Sequence, residues 1–256
     1  MKEFIENSLR ECGEILIDLY QNGKTSGIWV DDQFKADADR IAHNFLSNQL
    51  HSAFPNIPVV SEEDDASIEK KYHEYFIIDP IDGTASFAHG FSGWVTQIAF
   101  VKDEIPIFSG IYAPVSDEYF EAEKNYGAYR NKQKLEICAL GNKIKTIIDN
   151  YSQPKGITLE VLKALNITNY RESGSIALKI CRIADNTADV FFKAMEPKDW
   201  DLAAPKLILE EAGGILSDAY GSEIKLGQGN RHHHGLIATK NMVMLGEVSN
   251  WYRSRK

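Results

Sequence analysis

The sequence predicts an α/β protein that folds as one unit with two subdomains. Three patterns lead to this prediction: helical periodicity at the amino end, a run of short strands in the middle, and alternating helices and strands beyond about residue 142. With 256 residues the chain can bury a large core, and no linker-like stretch separates its halves. We therefore expect a single unit over residues 1–256, with subdomains 1–141 and 142–256.

Apolar residues from Phe4 to Leu19 recur at helical spacing and predict a helix over residues 2–22. The same periodicity predicts a second helix over Asp37–Ser52. The stretch between them, Gly23–Lys35, is polar, and we expect a loop there.

Short apolar and β-branched runs, bounded by turn residues, predict strands in the middle of the chain. These strands are Pro58–Ser61, Tyr75–Ile78, Trp94–Val101, Ile105–Ala113, Glu118–Glu123 and Gly127–Arg130. Those from Trp94 to Glu123 are joined by three or four residues, which indicates an antiparallel meander.

Helices and strands alternate in the last part of the chain. The predicted strands are Lys145–Asp149, Tyr170-Arg171, Ala188–Phe192 and Gly235–Thr239. The predicted helices are Thr158–Leu165, Ser175–Ile183, Leu202–Ala212 and Met242–Tyr252. Such alternation favours helices packed against a sheet.

Bulk composition limits the classes of function. A net charge of −9 argues against a general nucleic-acid surface, which normally carries a basic stripe. Three cysteines are scattered without a CxxC pair, as expected in a reducing cytoplasm. Charges run through the amino-terminal helix, and no apolar run approaches the length of a membrane span. We expect a cytoplasmic protein that binds neither membranes nor nucleic acids in general.

The segment Glu74–Gly90 carries the strongest chemical signal. An apolar strand leads directly into Asp79 and Asp82, and Gly83 and Thr84 follow at once. Neighbouring anions repel each other, but hard oxygen ligands are what Mg²⁺ prefers. If a helix begins at Thr84, the backbone amides there face an anion such as phosphate. The spacing predicts metal and phosphate chemistry.

Three other acidic stretches are candidates for the same site. They are Ser61–Asp65, Ala36–Asp39 and Lys198–Ala204. Each has an ordinary explanation, because acids are favoured in the first turn of a helix and in solvated loops. The strand-end pair Asp79 and Asp82 makes a shared site the better interpretation.

Three motifs carry a resemblance to a known family: DPIDGT at Asp79–Thr84, EE at Glu62-Glu63, and WDLAAPKLILEEAGG at Trp200–Gly214. In this order and separation they resemble the inositol monophosphatase superfamily over essentially the whole chain. The resemblance implies an α-β-α-β-α sandwich of the inositol monophosphatase or sugar phosphatase type. It also implies a Mg²⁺-dependent, lithium-sensitive hydrolase of small phosphorylated metabolites, in a family where homodimers are common.

The resemblance further implies which residues bind metal. Two or three Mg²⁺ ions would be held by Glu62, Asp79, the main-chain carbonyl of Ile81, Asp82 and Asp201. In such a site one ion activates a water molecule and another stabilises the leaving oxygen.

Catalytic roles follow from the same resemblance. Thr84 would orient the attacking water, with its hydroxyl held by an acid early in the second helix. Asp39 matches that acid best, although Ala36 stands where the family has threonine and Asp37 is close enough to compete. Glu63 is a candidate base or ligand of a third ion.

Substrate contacts are implied at Gly83, Thr84, Gly174, Ser175 and Lys193. Gly174-Ser175 matches the helix start that borders the substrate in the family, and it also fits an ordinary N-cap.

Inositol-specific members carry a glutamate seven residues before the WD aspartate. Here that position is Ala194, with Lys193 beside it. This difference favours a 3′(2′),5′-bisphosphate nucleotidase over an inositol monophosphatase, with Lys193 meeting a second phosphate. A protein that keeps the fold but only binds or regulates is the alternative.

Three consecutive histidines, His232–His234, invite a metal-site interpretation. They fall in a polar stretch, and consecutive residues do not share one face. We expect a solvent-exposed loop there. Trp200 is expected to pack in the core beside Asp201 rather than against a substrate.

Overall fold

The computed structural model describes residues 1–22, 27–30, 33–138, 141–227 and 233–255, with backbone only for 27–30 and 33–36. The α-helices of this part of the chain are α1 (Lys2–Gln21), α2 (Asp37–Ala53), α3 (Asp65–Ile68), α4 (Thr84–Ala88), α5 (Gly156–Ala164), α6 (Ile176–Ala184), α7 (Asp199–Glu211) and α8 (Met242–Arg253). Within the described ranges, none of these helices is long and apolar enough to cross a bilayer.

The strands form a hairpin and two sheets. The hairpin consists of β1 (Gly27–Val30) and β2 (Gln33–Ala36). The larger sheet contains β3 (Val59–Ser61), β4 (Glu74–Asp82), β5 (Val95–Lys102), β6 (Ile105–Ala113), β7 (Glu118–Glu123), β8 (Gly127–Arg130) and β9 (Gln133–Leu135). The smaller sheet contains β10 (Thr146–Asp149), β11 (Asn169–Glu172), β12 (Val190–Lys193), β13 (Ile215–Ser217) and β14 (Leu236–Thr239).

The larger sheet has its strands in sequence order, from β3 to β9. Only β3 and β4 are parallel; every later neighbour is antiparallel. Strand β4 is buried on both faces, with Tyr75 and Ile77 toward one core and Phe76 and Ile78 toward another. This explains why its sequence is continuously apolar rather than alternating.

The smaller sheet has the order β11-β10-β12-β14-β13. Strands β11, β10 and β12 are parallel, whereas β14 is antiparallel to β12 and β13. The carboxyl ends of the three parallel strands therefore lie at one edge, which brings Asp149 and Lys193 together.

Three buried clusters define five layers. One cluster joins α1 and α2 to the outer face of the larger sheet, around Leu9 and Leu46. A second places α6 and α7 between the two sheets, around Ile180 and Leu207. The third packs α5 and α8 on the outer face of the smaller sheet. The predicted α-β-α-β-α sandwich is confirmed.

Most predicted elements form within two residues of their expected bounds, and four places differ. Strand β4 continues through Asp82, and α7 begins three residues early, at Asp199. A hairpin, β1–β2, occupies part of the predicted loop Gly23–Lys35; the rest of that loop lies outside the described residues. The stretch as a whole is polar, but β1 contains the apolar run Ile28–Val30, and this run was the available signal for a strand.

The fourth difference is that α3, β9 and β13 were not predicted. Each has only three or four residues, too few for a periodic pattern to appear. The seven-stranded sheet ends at Leu135 and the five-stranded sheet begins at Thr146. The subdomain boundary at residues 141 and 142 falls between them and stays a prediction.

Two glycines bring the halves of the chain into backbone contact. A Cβ placed on Gly174 would lie 2.3 Å from the carbonyl oxygen of Gly93, which is too close for any side chain. Gly93 has φ +102°, a conformation that favours glycine. The amide of Ser175 donates to the same Gly93 carbonyl at 2.8 Å. This contact fixes the start of α6 against the segment that follows the DPIDGT motif.

We expect Gly174→Ala to destabilise the fold by about 1–3 kcal/mol, because the added methyl group meets rigid backbone. Gly246→Ala is the matched control: Gly246 lies within α8, and its added Cβ would have no neighbour within 4 Å. Helix propensity predicts that the control gains about 0.5–1 kcal/mol. Urea unfolding of both variants measures the difference. Equal stability of the two would contradict the close contact.

Candidate active site

A bulge in β4 brings two aspartates to the same side of the sheet. Asp79 pairs with Gln97 of β5, and Asp82 pairs with Val95, so the register shifts by one residue between the two pairs. In a regular strand, residues three apart point to opposite faces. The extra residue reverses that alternation, as bulges next to active sites commonly do. Pro80 lies within it, where no ladder hydrogen bond is required.

The third carboxylate comes from α7. Asp201 lies in the first turn of this helix, and its Oδ2 accepts the backbone N–H of Lys198 at 2.7 Å. One oxygen each from Asp79, Asp82 and Asp201 lies within 4.8 Å of the others. Two parts of the chain more than a hundred residues apart therefore supply one cluster of hard oxygen donors.

Glu62 reaches the same region because β3 and β4 are parallel. Ser61 pairs with Ile78, so Glu62, the residue that follows β3, comes next to Asp79 of β4. After burial, the charge of Glu62 contributes most to raising the pKa of Asp79. The two carboxylates therefore repel each other, although Glu62 is not among the three acids whose oxygens lie within 4.8 Å of one another in the described part of the chain.

Burial and mutual repulsion disfavour the charged forms of these acids. Burial raises the pKa of Asp79 well above its usual range, and the charges of Glu62 and Asp82 add to the effect. Burial raises the pKa of Asp201 to about 7, with a further contribution from Asp82. Without a compensating cation, the cluster therefore retains protons at pH values where exposed aspartates are ionised.

Asp82 receives direct support from the start of α6. Its two carboxylate oxygens accept the backbone N–H groups of Ile176 at 3.2 Å and Ala177 at 2.6 Å. Burial raises the pKa of Asp82, whereas these amides and the charge of Lys179 lower it. Strand β4, which carries two acids of the cluster, is thus tied to a helix packed against both sheets.

The hydroxyl of Thr84 contacts an oxygen of Asp39, which the resemblance assigns to catalysis, and the Ile81 carbonyl, which it assigns to metal binding. Its Oγ1 lies 3.2 Å from Oδ1 of Asp39 and 3.0 Å from the main-chain oxygen of Ile81. Asp39 is 3% exposed, whereas Asp37 is exposed to solvent. The geometry therefore favours Asp39 as the acid that holds the hydroxyl. The Ile81 oxygen has a second lone pair, so it remains able to bind a cation.

Glu63 lies beside a small polar group behind Glu62. The backbone N–H of Glu63 donates to Ser61 Oγ at 3.3 Å, and Ser61 Oγ is 2.8 Å from Nδ1 of His43. Burial lowers the pKa of His43, while the charges of Asp64 and Glu63 raise it. Glu63 is partly exposed, consistent with access to solvent water.

The predicted substrate contacts fall into two groups. Gly83, with φ +96°, precedes α4, and its added Cβ would lie 3.3 Å from Cβ of Ser175. Ser175 is the N-cap of α6, because its Oγ accepts the N–H of Leu178 at 3.0 Å. The first group, Gly83, Thr84, Gly174 and Ser175, therefore lies around one junction.

Lys193 forms the second group, at the carboxyl end of β12. Its Nζ lies 3.3 Å from Oδ1 of Asp149 and 3.0 Å from Oδ1 of Asn150. The ammonium group is thus already held by oxygen partners at the edge where the parallel strands end.

A cleft of about 910 Å³ opens beside Gly93 and Gly174. Its lining includes the aromatic side chains of Phe91 and Tyr151, together with Arg171. The carboxylates of the cluster do not line it. The cleft is large enough for a metabolite next to the cluster.

The sequence did not reveal the burial of three polar residues in this region, of which two were not named as candidates and the third was expected in solvent. Gln97 Nε2 lies 3.4 Å from Oδ2 of Asp79, and Lys179, only 2% exposed, donates to the carbonyl of Gly174. Burial lowers the pKa of Lys179 to about 8. Gln97 and Lys179 stand at positions that local periodicity assigns to an apolar core, and that mismatch was the available signal.

The third of these residues is His233, and it corrects the expectation of a solvent loop. It is 6% exposed and contacts Asp199. His232 lies outside the described residues. Trp200 packs against the hydrophobic core between the two sheets, as expected for a core residue.

The donor set fits a divalent cation. Within the described part of the chain, Oδ1 of Asp79 is buried and accepts no hydrogen bond, which is costly for an ionised oxygen. It belongs to a group of carboxylates, ligands that suit Mg²⁺, Mn²⁺ or Ca²⁺. A bound cation would satisfy this oxygen and offset the mutual repulsion.

Comparison with known proteins gives consistent relatives. The model of the inositol monophosphatase family matches residues 1–247. Inositol monophosphatase 2 of Solanum lycopersicum is 27% identical over 241 residues, covering 88% of this chain and 91% of that protein. The 3′(2′),5′-bisphosphate nucleotidase CysQ of Aggregatibacter actinomycetemcomitans is 27% identical over 218 residues, covering 82% and 81%.

A solved structure shares the fold along nearly the whole chain. The extragenic suppressor protein suhB from Bartonella henselae superimposes with a TM-score of 0.82 and 25% sequence identity. The match covers 97% of this chain and 96% of that protein. The five-layer arrangement is therefore common to both.

The raised pKa of Asp201 gives a testable pH dependence. Between about pH 4 and pH 7, the folded protein keeps a proton that the unfolded chain has released. Metal-free wild-type protein should therefore lose stability relative to Asp201→Asn as the pH rises through this range, by up to about 1.4 kcal/mol per pH unit.

Urea unfolding in a chelating buffer, repeated across this pH range, measures the effect. The asparagine keeps the side-chain oxygen that caps α7, so the comparison isolates the ionisable proton. Parallel pH profiles for the two proteins would contradict the buried, mutually repelling cluster.

Proposed function

The chain belongs to the inositol monophosphatase family, a family of phosphoric monoester hydrolases, and we propose that it is a Mg²⁺-dependent phosphomonoesterase acting on a small phosphorylated metabolite. The observation that supports this most is the convergence of Asp79, Asp82 and Asp201 within 4.8 Å. Two buried carboxylates and a partly buried third at this separation destabilise a fold unless a cation joins them.

Five residues would hold the metal. Glu62, Asp79 and the Ile81 carbonyl would bind one Mg²⁺; Asp79, Asp82 and Asp201 would bind a second. Glu62 would also serve a weaker third ion through water. When bound, the ions supply an activated water and neutralise the charge that grows on the phosphate and on the leaving oxygen.

The protein's own groups position the reactants. Thr84 Oγ1, held by Asp39, would orient the attacking water, and Glu63 would accept a proton at the solvent side. The backbone amides of Gly83 and Thr84 would donate to the phosphate oxygens. Gly174 and Ser175 would border the substrate, since they pack directly against the segment that follows Thr84.

A phosphorylated adenosine nucleotide is the substrate we favour over inositol phosphate. Ala194 replaces the glutamate that inositol-specific members use, and Lys193 offers a cation for a second phosphate. The neighbouring cleft of about 910 Å³ has Phe91 and Tyr151 in its lining, which suits a base that stacks on aromatic rings. The CysQ relative, named a 3′(2′),5′-bisphosphate nucleotidase, agrees with this choice.

Further properties of the family are carried to this chain as proposals. We expect inhibition by Li⁺ and by excess Mg²⁺, cytoplasmic location, and a homodimer in solution. Light scattering tests the homodimer directly. We expect no general binding of nucleic acid, in keeping with the net charge of −9.

The alternative is a protein that keeps this fold but binds or regulates instead of hydrolysing. One observation favours it: the structure with a TM-score of 0.82 is named an extragenic suppressor protein, not a phosphatase. Phosphate release from phosphoadenosine phosphate, inositol 1-phosphate, histidinol phosphate and fructose 1,6-bisphosphate separates the two. Absence of release from all four, with Mg²⁺ present, would support the alternative.

Asp82→Asn should reduce Mg²⁺-dependent phosphate release by more than about 100-fold. Changes to residues that merely support a ligand already alter metal affinity by about 10- to 100-fold. The variant should stay folded, because an asparagine oxygen still accepts an α6 amide. Asp37→Asn, at an exposed acid nearby, is the control and should retain activity within about twofold. Full turnover by Asp82→Asn would contradict the metal assignment.

Lys193→Met should lower kcat/KM for phosphoadenosine phosphate by about 10- to 100-fold, the effect of losing one charge-assisted hydrogen bond. For inositol 1-phosphate we expect a fall of less than about threefold. Lys193→Arg, which keeps the charge, is the control. An equal fall for both substrates would show that Lys193 does not distinguish them.

A further inference from the structure

A buried histidine lies behind the helix turn that carries Asp201. His233 is 6% exposed and Asp199 is 0% exposed. Nε2 of His233 lies 2.7 Å from Oδ1 of Asp199, and Oδ2 of Asp199 accepts the backbone N–H of Gly227. The Asp199 carboxylate thus joins α7 to both residues that flank the undescribed segment 228–232.

This contact is too enclosed to be an incidental surface pair. A carboxylate that is removed from water needs an opposite charge or several N–H donors. The His233 ring supplies a short N···O contact, of the length seen in charge-assisted hydrogen bonds. If His233 lost its ring nitrogen, Asp199 would keep its burial but lose a principal donor. The first turn of α7 would then move toward other donors or toward water.

The same turn controls the direction of Asp201. Residues two apart on a helix are rotated by roughly 200°, so Asp199 and Asp201 face nearly opposite sides. Asp199 contacts His233, while Asp201 extends to Asp79 and Asp82. Lys198 is fixed to this turn as well, through its N–H on Asp201. A shift of the turn therefore displaces the carboxylate from the cluster.

We propose that His233 is a positioning residue for Asp201: its contact with Asp199 holds the first turn of α7 so that the Asp201 carboxylate meets a divalent cation shared with Asp79 and Asp82. The inference rests on the proposed function, because it assigns Asp201 to a metal ion. His233 acts from behind the helix and does not touch the substrate. It gives one of the three consecutive histidines a role other than as a metal ligand.

Three variants separate positioning from general stability. His233→Leu removes the ring nitrogen at similar volume, and His233→Gln keeps a side-chain N–H. Lys240→Met is the control, since it breaks another largely buried pair, in which Lys240 Nζ lies 2.8 Å from Oδ1 of Asp189. That pair lies at the amino end of β12, the opposite end from Lys193. Titration calorimetry measures Mg²⁺ affinity, and phosphate release gives kcat, KM and the Mg²⁺ concentration for half-maximal rate.

We expect His233→Leu to weaken Mg²⁺ binding about tenfold or more in both measurements, with KM at saturating Mg²⁺ changed less than about twofold. His233→Gln should restore the affinity to within about threefold of wild type. Lys240→Met should lower the unfolding temperature and leave Mg²⁺ affinity unchanged. Equal affinity in wild type and His233→Leu, or an equal loss in Lys240→Met, would overturn the proposal.

If His233→Leu does not fold, Asp199→Asn carries the same test, because it weakens the contact without leaving a buried charge. Unchanged Mg²⁺ affinity in that variant would overturn the proposal equally. Failure of the proposed function has a different signature: wild-type protein would bind no Mg²⁺ in the calorimeter.

Discussion

Repulsion among three clustered carboxylates, two of them buried and one partly buried, is the constraint on which the rest of this structure depends. Asp79, Asp82 and Asp201 meet within 4.8 Å, and burial raises the pKa of each. Such a cluster opposes folding unless its charge is balanced. Several structural features hold these acids in place. The bulge in β4 turns two of them to the same face of the sheet, and the backbone amides of α6 donate hydrogen bonds to Asp82. The first turn of α7 fixes the third acid, and a shared cation would complete the balance.

The same requirement explains why the site lies where the larger sheet meets the helices α6 and α7. A single strand can supply two neighbouring acids, but the third must come from another element. Asp82 bonds to the start of α6, and Gly93 touches Gly174 at backbone distance. These contacts fix the carboxyl side of β4 against helices that pack on both sheets. The positions of the acids therefore depend on how the two halves of the chain pack. A substitution that disturbs this packing should also displace the acids.

Much of the fold was predictable because it rests on periodicity. The meander and most of the later helices and strands appear within two residues of their expected bounds, since each has a clear apolar face or run. The short elements α3, β9 and β13 carry no such pattern. The hairpin β1–β2 was missed although β1 contains the apolar run Ile28–Val30, because that run has only three residues and polar residues surround it. Local pattern could not reveal elements whose formation depends on the ladder or on neighbours.

The candidate site was predictable only in part. The acids that we predict to bind metal stand in recognisable motifs, and the structure brings Asp79, Asp82 and Asp201 together. Lys179 and Gln97 were missed because each is a polar residue within a predicted helix or strand, and His233 was wrongly expected in solvent; all three are buried beside partners that lie in other elements or loops. His233 meets Asp199 across 34 residues. No helical or strand periodicity encodes such a pairing.

The most direct test of the central claim is a crystal structure of the protein grown with Mn²⁺, which substitutes for Mg²⁺ and is located by its anomalous scattering. The account predicts anomalous peaks within about 2–2.3 Å of carboxylate oxygens of Asp79, Asp82 and Asp201. A fully formed pocket without such a peak at saturating Mn²⁺, or a peak bound only elsewhere, would contradict it.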